Sequence, residues 1–534
     1  MEDAYQDEAS SPQERSAGAR GSVDLWHTSR TMVVRNPSEL FQRLQAERLA
    51  AAWRADLPGS TAERVVVALP SFSLDASVYE HYGDRVPPLE NRYLYVILRC
   101  QQPGTRTVYL SSLPVSEEVV AGYLSLAPIH ARPMITRRSA LLSADDASHR
   151  PLAEKLLDNK RTLDALRSLI GDQQALIEAW NVGAAERELA LVLGVPINGT
   201  DPSLRRAATK SGGRRLFKAG GIPVPDGVED VTRVEDISAA IVELLGRDPH
   251  LPGVVIKLDD SVAGDGNIVV RLDDTRPRGR ADIERLVRAS LPDWYVDVLR
   301  GGGVVEALVT GEEFRSPSGQ GTIRPDGGVE VLSTHDQRLG GSNGQVFEGC
   351  SFPAADGYAA EIGRYVAQVG EELGSQGAIG RFGVDFVAIR SDADWHLFAL
   401  EINLRKGGTT HPFGITRILT GGQYDAKQAH FVLRDGTRRY YGATDNLVDA
   451  NWVGRRPTAV RQSLARAGLT YDPRVCAGVI PHLLDCLVID GRMGYTAIGR
   501  SREEVADLED RVATTLHGGE ASHSPRPATA QSDR

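Results

Sequence analysis

The sequence predicts a mixed α/β and α+β chain of three folded blocks between two polar tails, and three observations carry that expectation. Short, β-branched apolar runs alternate with helical patterns between Thr31 and Thr200. A strand, a glycine-rich loop and a second strand then follow one another through Gly253–Leu272. Finally, the apolar runs Phe382–Ile389 and Phe398–Arg405 carry Asp385, Glu401 and Asn403 at spacings that strand alternation sends to one face.

The chain has 534 residues, enough for roughly two to four domains. Hydrophobic content of 41% and charged content of 25% are those of an ordinary soluble protein. A net charge of −10 argues against a nucleic-acid binder, whose footprint would be basic. Cys100, Cys350, Cys476 and Cys486 are scattered, without metal spacing or a disulfide framework, which fits a reducing cytoplasm. No apolar run reaches spanning length, and the acidic N-terminus lacks a signal-peptide core, so no membrane partner is expected.

Residues 1–30, rich in Glu, Ser, Gln and Gly, and residues 517–534 cannot bury enough apolar surface to order themselves. The first block spans 31–200. Asn36-Pro37-Ser38-Glu39 starts a helix through Ala52: an Asn cap, Pro at the first position, an acid in the first turn. Arg64–Pro70 reads as a buried parallel strand, and Tyr93–Leu98 and Thr107–Leu110 repeat the pattern. Helices are expected near Ser116–Leu126 and Leu152–Ile170. The result is a doubly wound α/β unit without a Gly-x-Gly-x-x-Gly fingerprint, hence a scaffold rather than a dinucleotide domain.

The second block spans 201–425 and carries the chemistry. Lys210 begins a helix that ends at Gly220-Gly221. A Lys there is ordinarily a solvated side chain. Lys257, however, lies inside the apolar strand Gly253–Asp260, where an ammonium is costly unless it meets an anion or a cavity. Gly264-Asp265-Gly266 forms the tip of the next hairpin, and its backbone N–H groups form a flap able to close on phosphate oxygens. An ordinary Gly/Asp turn is the bland alternative. After a helix at Ala281–Leu291, Val304–Phe314 is a strand with Glu306 near its start and Glu313 beyond it. Those acids stand where an adenine amine and a ribose would each need an acceptor.

Glu401 and Asn403 point the same way, and two oxygen ligands on one face suit a hard cation beside phosphates. If the two runs pair as a hairpin across Arg390–Trp395, Asp385 reaches the same ion. Half-buried strands whose polar residues face water remain the alternative. The polar loop Lys406-Gly407-Gly408-Thr409-Thr410-His411-Pro412 directly after the strand is where substrate chemistry tends to sit. The third block, 426–516, holds the apolar runs Phe431–Leu433 and Val479–Leu484, then Gly491–Gly499 and a helix from Ser501 to Leu516.

Taken in order, Lys210, Lys257, the glycine flap, Glu306-Ala307-Leu308-Val309, Glu313, Asp385, Glu401 and Asn403 resemble the ATP-grasp superfamily. The loop that follows, and the blocks on either side, are similar to its ligases with a Rossmann-like pre-ATP-grasp domain, among them the pheganomycin-type peptide ligases. The resemblance implies that the two lysines contact ATP phosphates, and that Glu306, Ala307 and Leu308 frame the adenine while Glu313 holds the ribose. It also implies that Asp385, Glu401 and Asn403 bind Mg2+, two ions in that family, with Mn2+ as a substitute. A homodimer is common in the superfamily. Many such ligases carry an Arg two residues before the strand Asp, where this chain has Gly383, so the phosphate-side cation falls among Arg324, Arg338, Arg381 and Arg405.

The implied reaction is amide or peptide bond formation: γ-phosphoryl transfer makes an acyl phosphate, and an amine displaces the phosphate. Arg405 is the favoured partner for the oxyanion, with Arg381 and Arg338 as the other catalytic candidates. Arg315, Ser316, Ser318, Lys406, Gly407, Thr409 and His411 are the candidate substrate residues. Two alternatives are an ATP-grasp phosphotransferase and a nucleotide-binding regulatory subunit without catalysis. Retention of every metal ligand and both lysines speaks against the second.

Overall fold

The computed structural model describes residues 36–73, 79, 82–261, 266–272, 279–340, 346–391 and 394–517; both expected tails lie almost wholly outside them. The first helix, Pro37–Ala55, starts as expected: Asn36 Oδ1 accepts from the Ser38 amide at 3.1 Å and Pro37 takes the first position. Strands β1 (Arg64–Leu69), β2 (Thr105–Ser111), β3 (Ser139–Ser143) and β4 (Gln174–Ala179) form a parallel sheet in the order β3-β2-β1-β4. The run chosen for β1 is buried at every position, as a strand covered on both faces must be.

Two expectations fail in this unit. Tyr93–Leu98 is not a strand but part of a helical segment, Arg92–Gln101. All six of its residues are buried, and a short run with no polar face cannot reveal its period. The expected helix Leu152–Ile170 is two helices, Leu152–Asp158 and Lys160–Ile170. Asn159 separates them because its side chain serves the backbone instead, accepting from the Thr162 amide at 3.1 Å and donating to Ala144 O at 3.0 Å.

A small antiparallel sheet comes next: β5 (Gly227–Val228), β6 (Gly253–Leu258), β7 (Asn267–Arg271) and β8 (Gly303–Ala307), in the order β5-β8-β6-β7. Val254, Ile256 and Val305 turn inward against helices Val234–Arg247 and Arg280–Ser290. Alternation therefore sends Lys257 and Glu306 to the opposite face.

The largest sheet takes strands β9 (Glu313–Arg315), β10 (Pro317–Ile323), β11 (Val329–Gly340), β12 (Val346–Phe352), β13 (Gly380–Ser391) and β14 (Asp394–Asn403). The hairpin β15 (Gln423–Asp425)–β16 (His430–Val432) stands apart from it. Strands β17 (Tyr440–Val448), β18 (Gly478–His482) and β19 (Arg492–Gly499) continue the large sheet past residue 425, in the order β14-β13-β10-β11-β12-β17-β19-β18 with β9 on β13. One face carries helix Ala359–Ser375, brought so close that a Cβ on Gly319 would sit 2.4 Å from Val366 Cγ2. The other face of β10, β13 and β14 is left for polar side chains. No helix among the described residues is long and apolar enough to cross a membrane.

The parallel unit is tied to this sheet where β13 begins. Thr200 Oγ1 donates to Ile379 O at 2.7 Å and accepts from its amide at 3.2 Å. At Gly380, φ is +88° and an added Cβ would lie 2.8 Å from Gly199 Cα. Gly380→Ala should therefore lower the unfolding midpoint, with about 1–3 kcal/mol lost to backbone strain alone. Gly246→Ala, in a helix with open space around the added carbon, should instead stabilise by about 0.5–1 kcal/mol. Denaturant melts of both variants check the contrast.

Candidate functional site

The hairpin forms in the expected register. β13 and β14 pair Asp385 with Glu401 and Gly383 with Asn403, so all four positions share the face turned away from helix Ala359–Ser375. Asn403 Nδ2 donates to Asp385 Oδ2 at 2.8 Å, and Gln337 Nε2 donates to Asp385 Oδ1 at 2.8 Å. Lys210 Nζ meets Glu401 Oε1 at 2.8 Å. Burial, then the neighbouring Glu401 charge, pushes the Asp385 carboxyl up to about 6. Two carboxylates and an amide oxygen at one place, with strain that a positive charge would relieve, fit a hard divalent cation completed by phosphate and water. Among the described residues no three His, Cys, Asp or Glu form such a centre by themselves, so the protein would supply only part of the shell.

Lys210 opens helix Lys210–Ala219, where Thr209 Oγ1 accepts from the Gly212 amide at 3.0 Å. The Ser211 amide donates to Asp259 Oδ1 at 2.7 Å, which ties this helix start to the end of β6. Lys257 Nζ lies 2.5 Å from Glu306 Oε2, and the wholly buried Arg214 reaches Glu306 Oε1 at 2.9 Å. Glu306 is thus held between two cations, while the Ala307 and Leu308 amides donate to Asp226 O at 2.7 Å and Gly253 O at 2.9 Å. Glu313 pairs with Arg315 at 2.6 Å and Arg390 at 3.5 Å, and the Arg315 hydrogen bond leads in holding its carboxyl below the usual range. Gly264 and Asp265 lie outside the described residues; Gly266 O accepts from Tyr295 Oη at 2.8 Å.

Arg405 lies with its guanidinium 5.0 Å from the Trp180 ring, and burial, opposed by the Glu401 and Asp385 charges, lowers its pKa. With Arg381, Gln320, Ser333, Thr409 and Thr410 it lines a small pocket on the same face as Asn403. Gly383 makes room there: a Cβ would sit 2.8 Å from Gln320 Oε1, so the Gln320 amide fills the space that a side chain at 383 would take. Ser318 is buried directly opposite Asp385, and Ser316 O accepts from the Gln337 amide at 3.0 Å.

The structure does not bring Arg338 to this face. Gln337 points at Asp385, so alternation turns Arg338 the other way, where it pairs with Glu509 at 2.9 Å and donates to Ala443 O at 2.7 Å. His411 is likewise drawn off, into the core on helix Thr410–Thr420, 4.2 Å ring to ring from His482 and held neutral chiefly by burial. Lys406 is nearly covered: its Nζ meets Glu178 Oε2 at 2.7 Å and lies 4.9 Å from the Tyr93 ring. The Gly407 amide donates to Thr410 Oγ1 at 3.0 Å, folding the loop onto the helix start, and Thr409 is buried there. Sequence reasoning missed Gln320, Arg214 and Glu178. The last carried a readable signal, an acid within an apolar strand.

Models of known families match two stretches: an IQCH-like ATP-grasp family over residues 284–427 and a PGM1 C-terminal domain over 459–512. The chain is 31% identical over 458 residues to an L-propargylglycine–L-glutamate ligase of Streptantibioticus cattleyicolor, covering 82% of this chain and 92% of that protein. It is 22% identical over 432 residues to the IQ motif-containing protein H of Danio rerio, covering 70% of this chain and 40% of that protein. Among solved structures, the biotin carboxylase domain of Hydrogenobacter thermophilus 2-oxoglutarate carboxylase superposes with a TM-score of 0.51 at 15% identity, covering 84% and 89% of the two chains. A Campylobacter jejuni biotin carboxylase superposes with a TM-score of 0.50 at 12% identity, covering 85% and 95%. These last two share the fold.

The Lys406–Glu178 pair yields a pH test. Burial alone would raise Glu178, but Lys406 and Arg99 outweigh it and bring it from 4.5 to about 2. A depressed acid stabilises fully above its unfolded pKa and loses that contribution as pH falls from about 4.5 toward 2. Lys406→Met should cost about 3–5 kcal/mol at neutral pH, as a buried pair losing one partner does, and should flatten the acid limb of stability against pH. Urea melts between neutral and acid pH measure both effects.

Proposed function

The chain belongs to the ATP-grasp ligases, and on that footing we propose that it activates an amino acid or peptide carboxylate with ATP and joins it to an amine. The observation that carries this reading is the cross-strand placement of Asp385 against Glu401, with the Asn403 amide 2.8 Å from Asp385 and Lys210 on Glu401. Asp385, Glu401 and Asn403 would hold Mg2+, which when bound neutralises the triphosphate. Lys210 and Lys257 take ATP phosphates on entry, and Glu306 stays neutralised by Arg214 when Lys257 changes partner.

The acyl carboxylate oxygen attacks the γ-phosphorus and the bond to the ADP oxygen breaks. The amine then attacks the acyl carbon and expels phosphate, losing a proton. Arg405, fixed over Trp180, and Arg381 beside it stand ready for the negative charge that develops at phosphoryl and acyl oxygens. The relative is named for L-propargylglycine and L-glutamate, which supports amino acids on both sides of the new bond.

Paired amino acids and short peptides offered with ATP should give ADP and phosphate only when both an acid and an amine are present, with the amide seen by mass spectrometry. Appearance of AMP and pyrophosphate would overturn the proposal. Arg405→Ala should lower kcat by about a hundredfold or more, as loss of an oxyanion donor does. Arg338→Ala, on the far face, should leave kcat within about twofold, since surface substitutions away from a site change little.

A further inference from the structure

A cavity of about 280 Å3 lies between helix Glu117–Ser125 of the N-terminal unit and helix Pro457–Arg466 with β18 of the C-terminal block. None of the residues assigned above to phosphates, cation or acyl transfer lines it. Its walls are mostly apolar, with Val119, Leu126, Leu464 and Val479 among them. A volume of this size is that of a small-molecule site rather than a packing defect.

Three polar atoms in those walls are unmatched. Asn91 Oδ1, Tyr123 Oη and His482 Nδ1 have no hydrogen-bond partner, although the three residues are only 9%, 5% and 2% exposed. Buried polar atoms are ordinarily paired, so three in one cavity wall mark a demand for a ligand. His482 Nε2 lies 2.7 Å from Asp445 Oδ1, and a carboxylate only accepts, which leaves Nδ1 as an acceptor in the neutral ring. Asp485 adds a carboxylate to the same wall. It accepts from Asn91 Nδ2 at 2.7 Å and Ser116 Oγ at 3.1 Å, and no cation pairs with it among the described residues. Asn91 Oδ1 and His482 Nδ1 lack donors, Tyr123 Oη can give or take a hydrogen bond, and the half-buried Asp485 carboxylate has no cation against it among the described residues, a set that N–H groups carrying positive charge would answer.

We propose that this cavity binds a small molecule with a primary ammonium group on an apolar body, the chemistry shared by an aliphatic amine and an apolar amino acid. The ammonium meets Asp485, Asn91 Oδ1 and His482 Nδ1, and the apolar body lies against Val119, Leu126 and Leu464. Arg461, on the same lining, donates to Glu118 O at 2.7 Å and Thr458 Oγ1 at 3.2 Å and has further N–H groups for the carboxylate of an amino acid. The site also touches the cleft indirectly, because the His482 ring packs 4.2 Å from His411 on the helix that follows the Arg405–Thr409 loop.

Calorimetric titration of the full chain without ATP, using isopentylamine, L-leucine and isocaproate, tests the assignment. The amine and leucine should bind saturably and isocaproate should not. Leucine alone binding would identify the amino-acid source and a role for Arg461. Asp485→Asn should weaken binding about tenfold or more, the cost of a lost charged hydrogen bond. Ala465→Trp, at the exposed mouth, should block it without touching the core, and Glu401→Ala should leave it unchanged. Absence of binding by both leucine and the amine, or binding that survives both Asp485→Asn and Ala465→Trp, would overturn the proposal. Each readout is independent of amide synthesis.

Discussion

The antiparallel register of β13 on β14 is the constraint on which the site depends, because it sets Asp385 directly across from Glu401. Like charges at opposed positions destabilise a sheet, and burial adds to the cost. The surroundings answer that cost from several directions. Lys210 comes from the start of a helix, Gln337 from β11, and Asn403 from the same hairpin. Glycines on the reverse of β10 let a helix lie close against the sheet, so the polar face stays free of the packed core. A site assembled in this way sets Asp385 and Glu401 against Lys210 and Arg405 and still leaves the Asp385 carboxyl raised by its burial.

The opposing small sheet solves the complementary problem. Lys257 is costly in an apolar strand, and Glu306 meets it there. Arg214 bridges Glu306 to Glu229 at 2.8 Å, and Lys218 also reaches Glu229 at 2.6 Å, so the chain of charges runs outward toward solvent. Such a chain lets one member exchange its partner for a phosphate without stranding a buried carboxylate. Lys210 and Lys257 are each paired with an acid, so a phosphate taken by either lysine would have to displace a carboxylate.

The candidate site residues were legible where chemistry and local periodicity coincide. Asp385, Glu401 and Asn403 follow from alternation along two strands, and Lys257 stands out by its cost in an apolar run. What remained hidden depends on partners far away in the chain. Arg338 and Gln337 are neighbours of opposite parity, and only the pairing of β11 with β10 and β12 decides which one faces Asp385. Lys406 reads as a loop cation until Glu178, 228 positions earlier, is found against it. Tyr93–Leu98 has no polar face, so its burial hides its period. The C-terminal strands give no sign that they complete the sheet of the preceding block, since hydrogen-bond partners along a sheet edge leave no periodic mark.

If the paired carboxylates hold the divalent ion that accompanies ATP, Mn2+ in place of Mg2+ reports on them directly. Electron paramagnetic resonance of Mn2+ with a non-hydrolysable ATP analogue should show protein-bound ion in the wild type. With Asp385→Asn the bound signal should fall to that of the nucleotide complex alone while analogue binding weakens. An unchanged bound Mn2+ signal in that variant would place the ion elsewhere and contradict the account of the site.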